Sequence, residues 1–510
     1  MMAALALRVG GGLLAAERHT NGLGGGLWTD PGSWHGQVSP AATDVVVIAS
    51  GDTLQADAGE AVCAGLLIDP DGVLAARPAG TPRRLLVTGP VESYGLIRVD
   101  AAREPQAAFT LRVEAAEPGA RVIRLYRNSG LLLYGPASPE AGAPGVSLEA
   151  GAPGGADAAG AIEAGPGVRL DLAGVRVLNW AVKATGLDNT GFKPDERLNL
   201  ASCRFEGFGR IELKECDSAL VAGNRLEWRG TEAALAPAVS ASSCKLGDLR
   251  QNRVTGRFPA GFDLASETDP AVTSNTVEGA EAGFSFRSCA NPMIRANAAL
   301  GCGDGLRIAG GSGAVEGLRV RGVRRGVVLT ECQVQVSDAR IEDTPDGAAP
   351  VHLESASVAL LNVNVTTNQI RRSGKAPAGK EPWATQMHYL VVKAAGAFPP
   401  GSEVAVATAA ASGGPPGGLA DLNVRNSPAR ILANGLTPLP RTLRPLVVRG
   451  WRIDNAGVFR EAPFYDLKVT GAPDPATGAR PVLKAQVVEP RENWYRPEPD
   501  APAPTLEVTR

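Results

Sequence analysis

An all-β solenoid is the fold this 510-residue chain predicts, on two interleaved periodic series and the residue types that fill them. The first series is an apolar-x-x-Asn-x-apolar step: Val221…Asn224…Leu226, Leu249…Asn252…Val254, Val272…Asn275…Val277 and Ile294…Asn297…Ala299. The second is a Gly followed by alternating apolar residues: Gly261-Phe262-Asp263-Leu264, Gly283-Phe284-Ser285-Phe286, Gly305-Leu306-Arg307-Ile308 and Gly326-Val327-Val328-Leu329. Its glycines lie 22, 22 and 21 residues apart. Between Phe208 and Val365 the pattern recurs every 21 to 23 residues, with one interval of 28. A fixed period of this length marks a repeat whose units bury their apolar faces only against their neighbours. The apolar positions alternate with period two, so the units are short strands and not helices. Leucine-rich repeats share the period, but there a helix or extended convex segment follows the Asn. Here a second strand follows with its own Gly start, and the slots hold Val, Ile, Phe and Ala more than Leu, which suits pleated walls. The prediction is a right-handed parallel β-helix.

Coils stacked about 4.8 Å apart put matching residues in columns. Asn224, Asn252, Asn275 and Asn297 then form a ladder whose amides hydrogen-bond from coil to coil. The Gly slot is expected to supply a corner with positive φ. Cys216, Cys244 and Cys289 each precede their Asn by eight residues, and Cys332 follows Val327 at the spacing by which Cys289 follows Phe284. These four cysteines share one slot and read as a column of buried thiols packing as small hydrophobes. Cys-x-x-Cys pairs are absent and His numbers four, which disfavours a zinc site.

The elements follow in order. Residues 1–25 read as a poorly ordered leader; Arg8 interrupts their apolar run and no basic segment precedes it, so they do not make a convincing signal peptide. Residues 26–105 read as a compact β module, with Trp28 and Trp34, then Gly36 leading to Asp44-Val45-Val46-Val47-Ile48, then the turn Gly51-Asp52-Thr53-Leu54. Residues 106–370 carry the β-helix, with an Ala/Gly/Pro-rich surface loop at 136–166. Residues 371–384 turn basic and read as a linker. Residues 385–470 carry strands without the coil period and read as a small β-sandwich-like domain. Residues 471–510 read as a Pro-rich tail.

On the Trp pair, the Gly36-to-Asp44 step and the Gly51 turn, residues 26–105 resemble the eight-glycine domain of bacterial surface proteins and cell-surface hyaluronidases. The usual Pro-x-x-Gly-Asp run appears as Pro40-Ala41-Ala42-Thr43-Asp44, without its glycine. The resemblance implies a cap on the first coil. The coil region itself is similar to the pectate-lyase-like β-helix superfamily, which holds pectate lyases, polygalacturonases, alginate epimerases and many non-enzymatic surface proteins.

Bulk composition excludes some functions. With 51 basic and 53 acidic residues the net charge is -2, which gives no electrostatic reason to expect nucleic acid. No apolar run approaches the length of a membrane span. Gly 62 and Pro 39 suit many turns between short strands.

Candidate chemistry sits on the outer face of the Gly-started strand, two and four residues after the Gly slot. The first column is Glu212, Ser240, Asp263, Ser285, Arg307, Val328, His352; the second is Lys214, Ser242, Ala265, Arg287, Ala309, Thr330, Glu354. The candidate ligand groove is therefore Asp263, Arg287, Arg307, His352, Glu354, Glu212 and Lys214. In the enzymes of the superfamily such a face carries the active site. Hydrolysis needs clustered aspartates flanking the glycosidic bond, and by resemblance Gly-His-Gly and Arg-x-Lys segments; none appears. Elimination needs a base and acidic residues to hold Ca²⁺; Asp263 with Glu267 and Asp269 is a thin candidate for calcium, and no other cofactor is expected. Trp28 and Trp34 read as core of the N-terminal module, Trp180 and Trp228 as corner residues, and Asp69-Pro70-Asp71-Gly72 as a plain turn.

The reading is a non-catalytic extracellular or envelope protein that binds a polysaccharide or cell-surface glycan along its outer face, with no nucleic-acid partner. The alternatives are a lyase, epimerase or hydrolase acting on a uronic-acid polysaccharide, and a structural attachment or fibre protein.

Overall fold

The computed structural model describes residues 16–488 and 505–508, apart from 77–81, 102–107, 116–119, 136–145, 152–159, 189–196, 231, 246, 346–347, 376–381, 395–397, 410–423, 435, 440–443, 462–463, 472 and 474–475. The fold is all-β, a parallel β-solenoid with an additional C-terminal antiparallel sheet. Two compact units divide it: Met1–Met293 with Ala298–Gly303, and Ile294–Asn297 with Asp304–Arg510.

In the first unit three parallel sheets wind around a dry core. The first sheet runs through Val45–Ile48, Gly65–Ile68, Val91–Ser93 and Val122–Leu125 to Ala260–Ala265 and Ala282–Arg287. The second includes Leu96–Asp100, Gly130–Tyr134 and Arg169–Ala173; the third includes Arg176–Leu178, Arg204–Gly207, Arg225–Trp228 and Arg253–Thr255. Alternation buries one side chain in two. Phe262 and Phe284, in register on neighbouring coils, are fully buried and stack with centroids 5.4 Å apart.

The Asn column forms as its spacing predicts. Asn224 Nδ2 and its backbone N–H both donate to Asn252 Oδ1 at 3.0 Å. Asn252 does the same to Asn275 Oδ1, at 3.0 and 2.9 Å. Each amide also donates back to a carbonyl: Leu200, Val221 and Leu249 in turn. All three are nearly inaccessible, and so is Asn297 in the second unit. The cysteine column is also present. Cys216 N–H donates to Cys244 Sγ at 3.3 Å, and the next slot is filled by Glu267, whose Oε1 accepts from Cys244 N–H at 3.0 Å. The seven cysteines are all buried and unbridged.

The corners differ from expectation. Positive φ falls on the residue before each column position: Gly223, Gln251 and Ser274 before Asn; Glu215, Ser243, Ser266 and Ser288 before the Cys or Glu. The Gly slot does not need it. A Cβ on Gly261 would lie 2.5 Å from both γ-carbons of Val277, and one on Gly326 would lie 2.8 Å from Ile341 Cγ2. Glycine is there for closeness across the narrow interior, not for backbone freedom.

The boundaries at both ends differ as well. Val45 to Asp100 supplies coils of the same three sheets, so the solenoid is already under way in the stretch read as a separate cap. Irregular coil lengths there hide the period. Within the stretch read as leader, Glu17–His19 pairs with a coil strand, and Gly25–Leu27, which starts at its last residue, pairs with another; residues 1–15 lie outside the described residues. Within the predicted 136–166 loop, Val146–Ala150 and Gly160–Ala164 are ladder strands, and their Ala/Gly content concealed them.

The second unit carries coil strands Asp304–Ala309, Arg325–Thr330, Val351–Glu354 and Ile370–Ser373 in register. The last runs from the final residue of the predicted β-helix into the predicted linker. Ala384–Ala394 pairs in parallel with Ser357–Leu361 and antiparallel with Leu446–Ile453, and so joins coil to C-terminal sheet. Glu403–Thr408 and Tyr465–Thr470 build a second antiparallel layer around Leu390, Val404, Val448, Tyr465 and Leu467. The predicted tail contributes Val482–Val488 and Thr505–Val508 as paired strands; residues 489–504 lie outside the described residues.

Candidate functional site

The first sheet's outer columns stand as its pattern predicts within each unit. In the first unit Glu212, Ser240, Asp263 and Ser285 are in register, and Lys214, Ser242, Ala265 and Arg287 form the neighbouring column. In the second, Arg307, Val328, His352 and Arg371 align, beside Ala309, Thr330, Glu354 and Ser373.

Towards the N-terminus the first column continues as Glu92, Arg124, Glu163, Lys183 and Glu212, with alternating charge. Arg124 reaches both neighbours, Glu163 at 3.3 Å and Glu92 at 3.4 Å. Arg287 Nη2 lies 2.8 Å from Asp263 Oδ2. Lys214 lies 3.7 Å from Glu215, with both side chains well exposed. Exposed pairs such as Lys214–Glu215 contribute little to stability, about 0–1 kcal/mol each. Glu267 is turned into the core and holds the Cys244 amide. Burial pushes its carboxyl pKa up. That places it apart from the outward-facing Asp263. Among the described residues no group of three or more His, Cys, Asp or Glu is arranged to hold a metal.

In the second unit Arg307 is held against a residue the sequence pattern did not single out. Asp304 is fully buried and takes Arg307 Nε at 2.5 Å and Arg325 Nε at 2.5 Å. Burial opposes its ionisation, but the Arg325 and Arg307 donors outweigh burial and hold its carboxyl below the usual range. His352, half-buried, is pushed down by that burial and by Arg325 and Arg371 beside it, so its imidazole is neutral at neutral pH. Glu354 accepts a long 3.5 Å hydrogen bond from Thr330 Oγ1. Asp304 and Arg325 occupy the position just before the Gly slot, where the other coils carry Ala260 and Ala282. That departure from the pattern was the signal available for them.

Beside His352 lies a cavity of about 420 Å³ lined by Ala348, Ala349, Asn368, Gln369, Ile370 and Arg371. None of its polar residues was singled out by the repeat, because Thr366 to Gln369 falls past the last Asn step.

The third sheet carries a further ladder. Arg176, Arg204, Arg225 and Arg253 align, with Glu206 and Glu227 in the adjacent column. Glu206, almost fully buried, takes Arg176 at 2.9 Å, Arg204 at 2.5 Å and Arg229 at 3.3 Å. The Arg-x-Glu step directly after the Cys203 or Asn224 slot was its sequence signal. The ladder is largely self-neutralised.

The tryptophans divide. Trp28 and Trp34 are core, edge to face at 5.6 Å, with Trp34 Nε1 donating to the Trp28 carbonyl. Trp180 is fully buried. Trp228 is partly exposed between Phe208 and Phe258 and donates to the Glu232 carbonyl at 2.8 Å. Asp69 to Gly72 is a turn closed by Gly72 N–H to the Asp69 carbonyl.

No protein-family model matches the chain, and no curated protein does. Among solved structures it is similar to the Dettilon tailspike protein, at 10% identity and a TM-score of 0.38, over 87% of this chain and 72% of that one. It is also similar to the enzymatically active domain of bacteriophage CBA120 tailspike protein 2, at 9% identity and a TM-score of 0.23, over 86% of this chain and 71% of that one. Similarity at this level assigns no residue of this chain a role. Among the described residues no helix is long and apolar enough to cross a membrane.

Proposed function

We propose that this chain is a non-catalytic carbohydrate-binding β-solenoid of the cell envelope or exterior, which meets a polysaccharide or surface glycan along the outer face of its first sheet. The observation that carries this reading is the register. In the first unit polar and charged side chains recur at every rung, as Glu212, Ser240, Asp263 and Ser285; in the second, taken by itself, Arg307, Val328, His352 and Arg371 align with one apolar rung among them. A polymer of repeating hydroxylated units is the ligand such a ladder complements. Native affinity electrophoresis in gels cast with a panel of neutral and acidic polysaccharides tests it. At least one polysaccharide should retard the protein, and the double variant Arg287→Ala/Arg307→Ala should migrate faster in it. Unchanged mobility of the variant removes the groove.

One observation favours an enzymatic reading. His352 is neutral and has Arg325 and Arg371 beside it. In an elimination a neutral base takes the proton next to a uronate carboxylate while cations balance the charge, the glycosidic C–O bond breaks as a C=C bond forms, and the departing oxygen takes a proton from the protonated base or from water. Ultraviolet absorbance of the unsaturated product on uronate polymers, lost in His352→Ala, would establish that reading over the non-catalytic one.

A further inference from the structure

The cavity beside the last coil strand of the second unit has a donor-rich wall whose orientation is fixed by its own turn. Thr366 caps the short turn Thr367–Gln369. Its backbone N–H donates to Gln369 Oε1 at 2.9 Å, and its hydroxyl, with one proton to give, lies within reach of the side-chain oxygens of both Gln369, at 3.1 Å, and Asn368. Both amide oxygens thereby lie against Thr366, and the two NH₂ groups take no part in these contacts and remain donors. Arg371 lies two residues beyond Gln369, is exposed, and makes no ion pair among the described residues. It pairs in register with His352. The remaining lining, Ala348, Ala349 and Ile370, is small and apolar. The volume, about 420 Å³, falls in the range of small-ligand sites, about 300–1,000 Å³.

From this wall of one guanidinium and two oriented amides over an apolar floor, we infer that Asn368, Gln369 and Arg371 form a binding site for a carboxylate-bearing sugar residue of an acidic glycan. Arg presents a planar fork that matches a carboxylate. The amides supply donors to the second carboxylate oxygen or to ring hydroxyls. The alanines and Ile370 give the sugar's C–H face an apolar surface. The site rests on the carbohydrate-binding reading but uses different residues from the outward columns that hold Arg287 and Arg307, so the two can fail separately.

The test is isothermal calorimetry on the full chain with defined oligomers of galacturonate, glucuronate, mannuronate, guluronate and sialate, each paired with its methyl ester. At least one acid should bind, about tenfold or more tighter than its ester. Arg371→Gln and Asn368→Asp should each weaken the acid by about tenfold and leave the ester unchanged, with unaltered circular dichroism and melting. Acid and ester binding equally, with affinity lost only in Arg287→Ala/Arg307→Ala, would overturn this site and leave the carbohydrate reading standing. No binding by any oligomer, or binding indifferent to both Arg371→Gln and Asn368→Asp, would also overturn the site. Polyphosphate or single-stranded DNA binding as tightly as the best uronate would replace the sugar with a phosphate polymer.

Discussion

Arg287 and Asp263 occupy neighbouring coils and different outward columns, and their side chains meet diagonally at 2.8 Å. The Arg side chain is 58% exposed and the Asp 20%, so the pair stands in water and is held by geometry more than by burial. Removing either partner should change stability by less than about 1 kcal/mol in chemical denaturation. The ligand response should be asymmetric. Asp263→Ala releases the guanidinium and should increase retention on acidic polysaccharide, whereas Arg287→Ala should decrease it. Equal effects of the two variants in affinity electrophoresis would mean that the pair acts only on the scaffold.

Asn252 is the middle rung of its ladder and engages four groups: two donors from Asn224, the Val221 carbonyl and Asn275 Oδ1. Asn252→Ala strands buried polar groups on both sides and should cost about 3 kcal/mol or more. The adjacent Arg253→Ala, on an exposed side chain paired to Glu278 at 3.3 Å, should cost less than about 1 kcal/mol. Denaturant midpoints of the two variants measure the contrast.

Gly261→Ala should destabilise by about 1–3 kcal/mol through overpacking. The clash is with Val277 at 2.5 Å and with the Gly283 carbonyl oxygen at 2.8 Å. Combining it with Val277→Ala should recover part of the loss and not all, because the backbone contact stays. Full recovery, or none, in thermal melts would contradict the packing account.

His388 is buried on the strand that joins coil to C-terminal sheet, and burial pushes its pKa from 6.5 down to about 4. The unfolded chain binds the proton first, so stability is full above pH 6.5 and declines as pH falls towards 4. The loss from this one group approaches about 3 kcal/mol. His388→Phe removes it, so between pH 7 and pH 4 the wild type should lose about that much more stability than the variant. Parallel pH profiles of the denaturation midpoint would contradict the buried neutral imidazole.

Much of the coil geometry was legible because it is written in side chains that repeat. The Asn and Cys slots and both outward columns of the first sheet follow from spacing alone. What escaped was carried by residues with no repeated signature. Positive φ is adopted by Gln251, Ser274 and Ser288 as readily as by Gly223, so no single residue type marks the corner. Glu267 stands in the cysteine column because any side chain with an acceptor can take the amide of the preceding coil. The early coils were hidden by unequal lengths and by Ala-rich strands such as Gly160–Ala164. Asp304 and Arg325 showed only as departures from the Ala that precedes the Gly slot in other coils, and the Asn368–Arg371 cavity wall, which occurs once, left no repeated mark.

The Asn rungs keep the same 3.0 Å amide contact whether the step along the chain is 28 residues, from Asn224 to Asn252, or 23, from Asn252 to Asn275. The excess falls between the strands Arg225–Trp228 and Val239–Ser242, where Trp228 Nε1 donates to the Glu232 carbonyl. Length is thus decoupled from stacking at that corner. A foreign epitope spliced between Arg229 and Ala238 would be displayed from a fixed edge, making the solenoid a ready chassis for presenting grafted peptides.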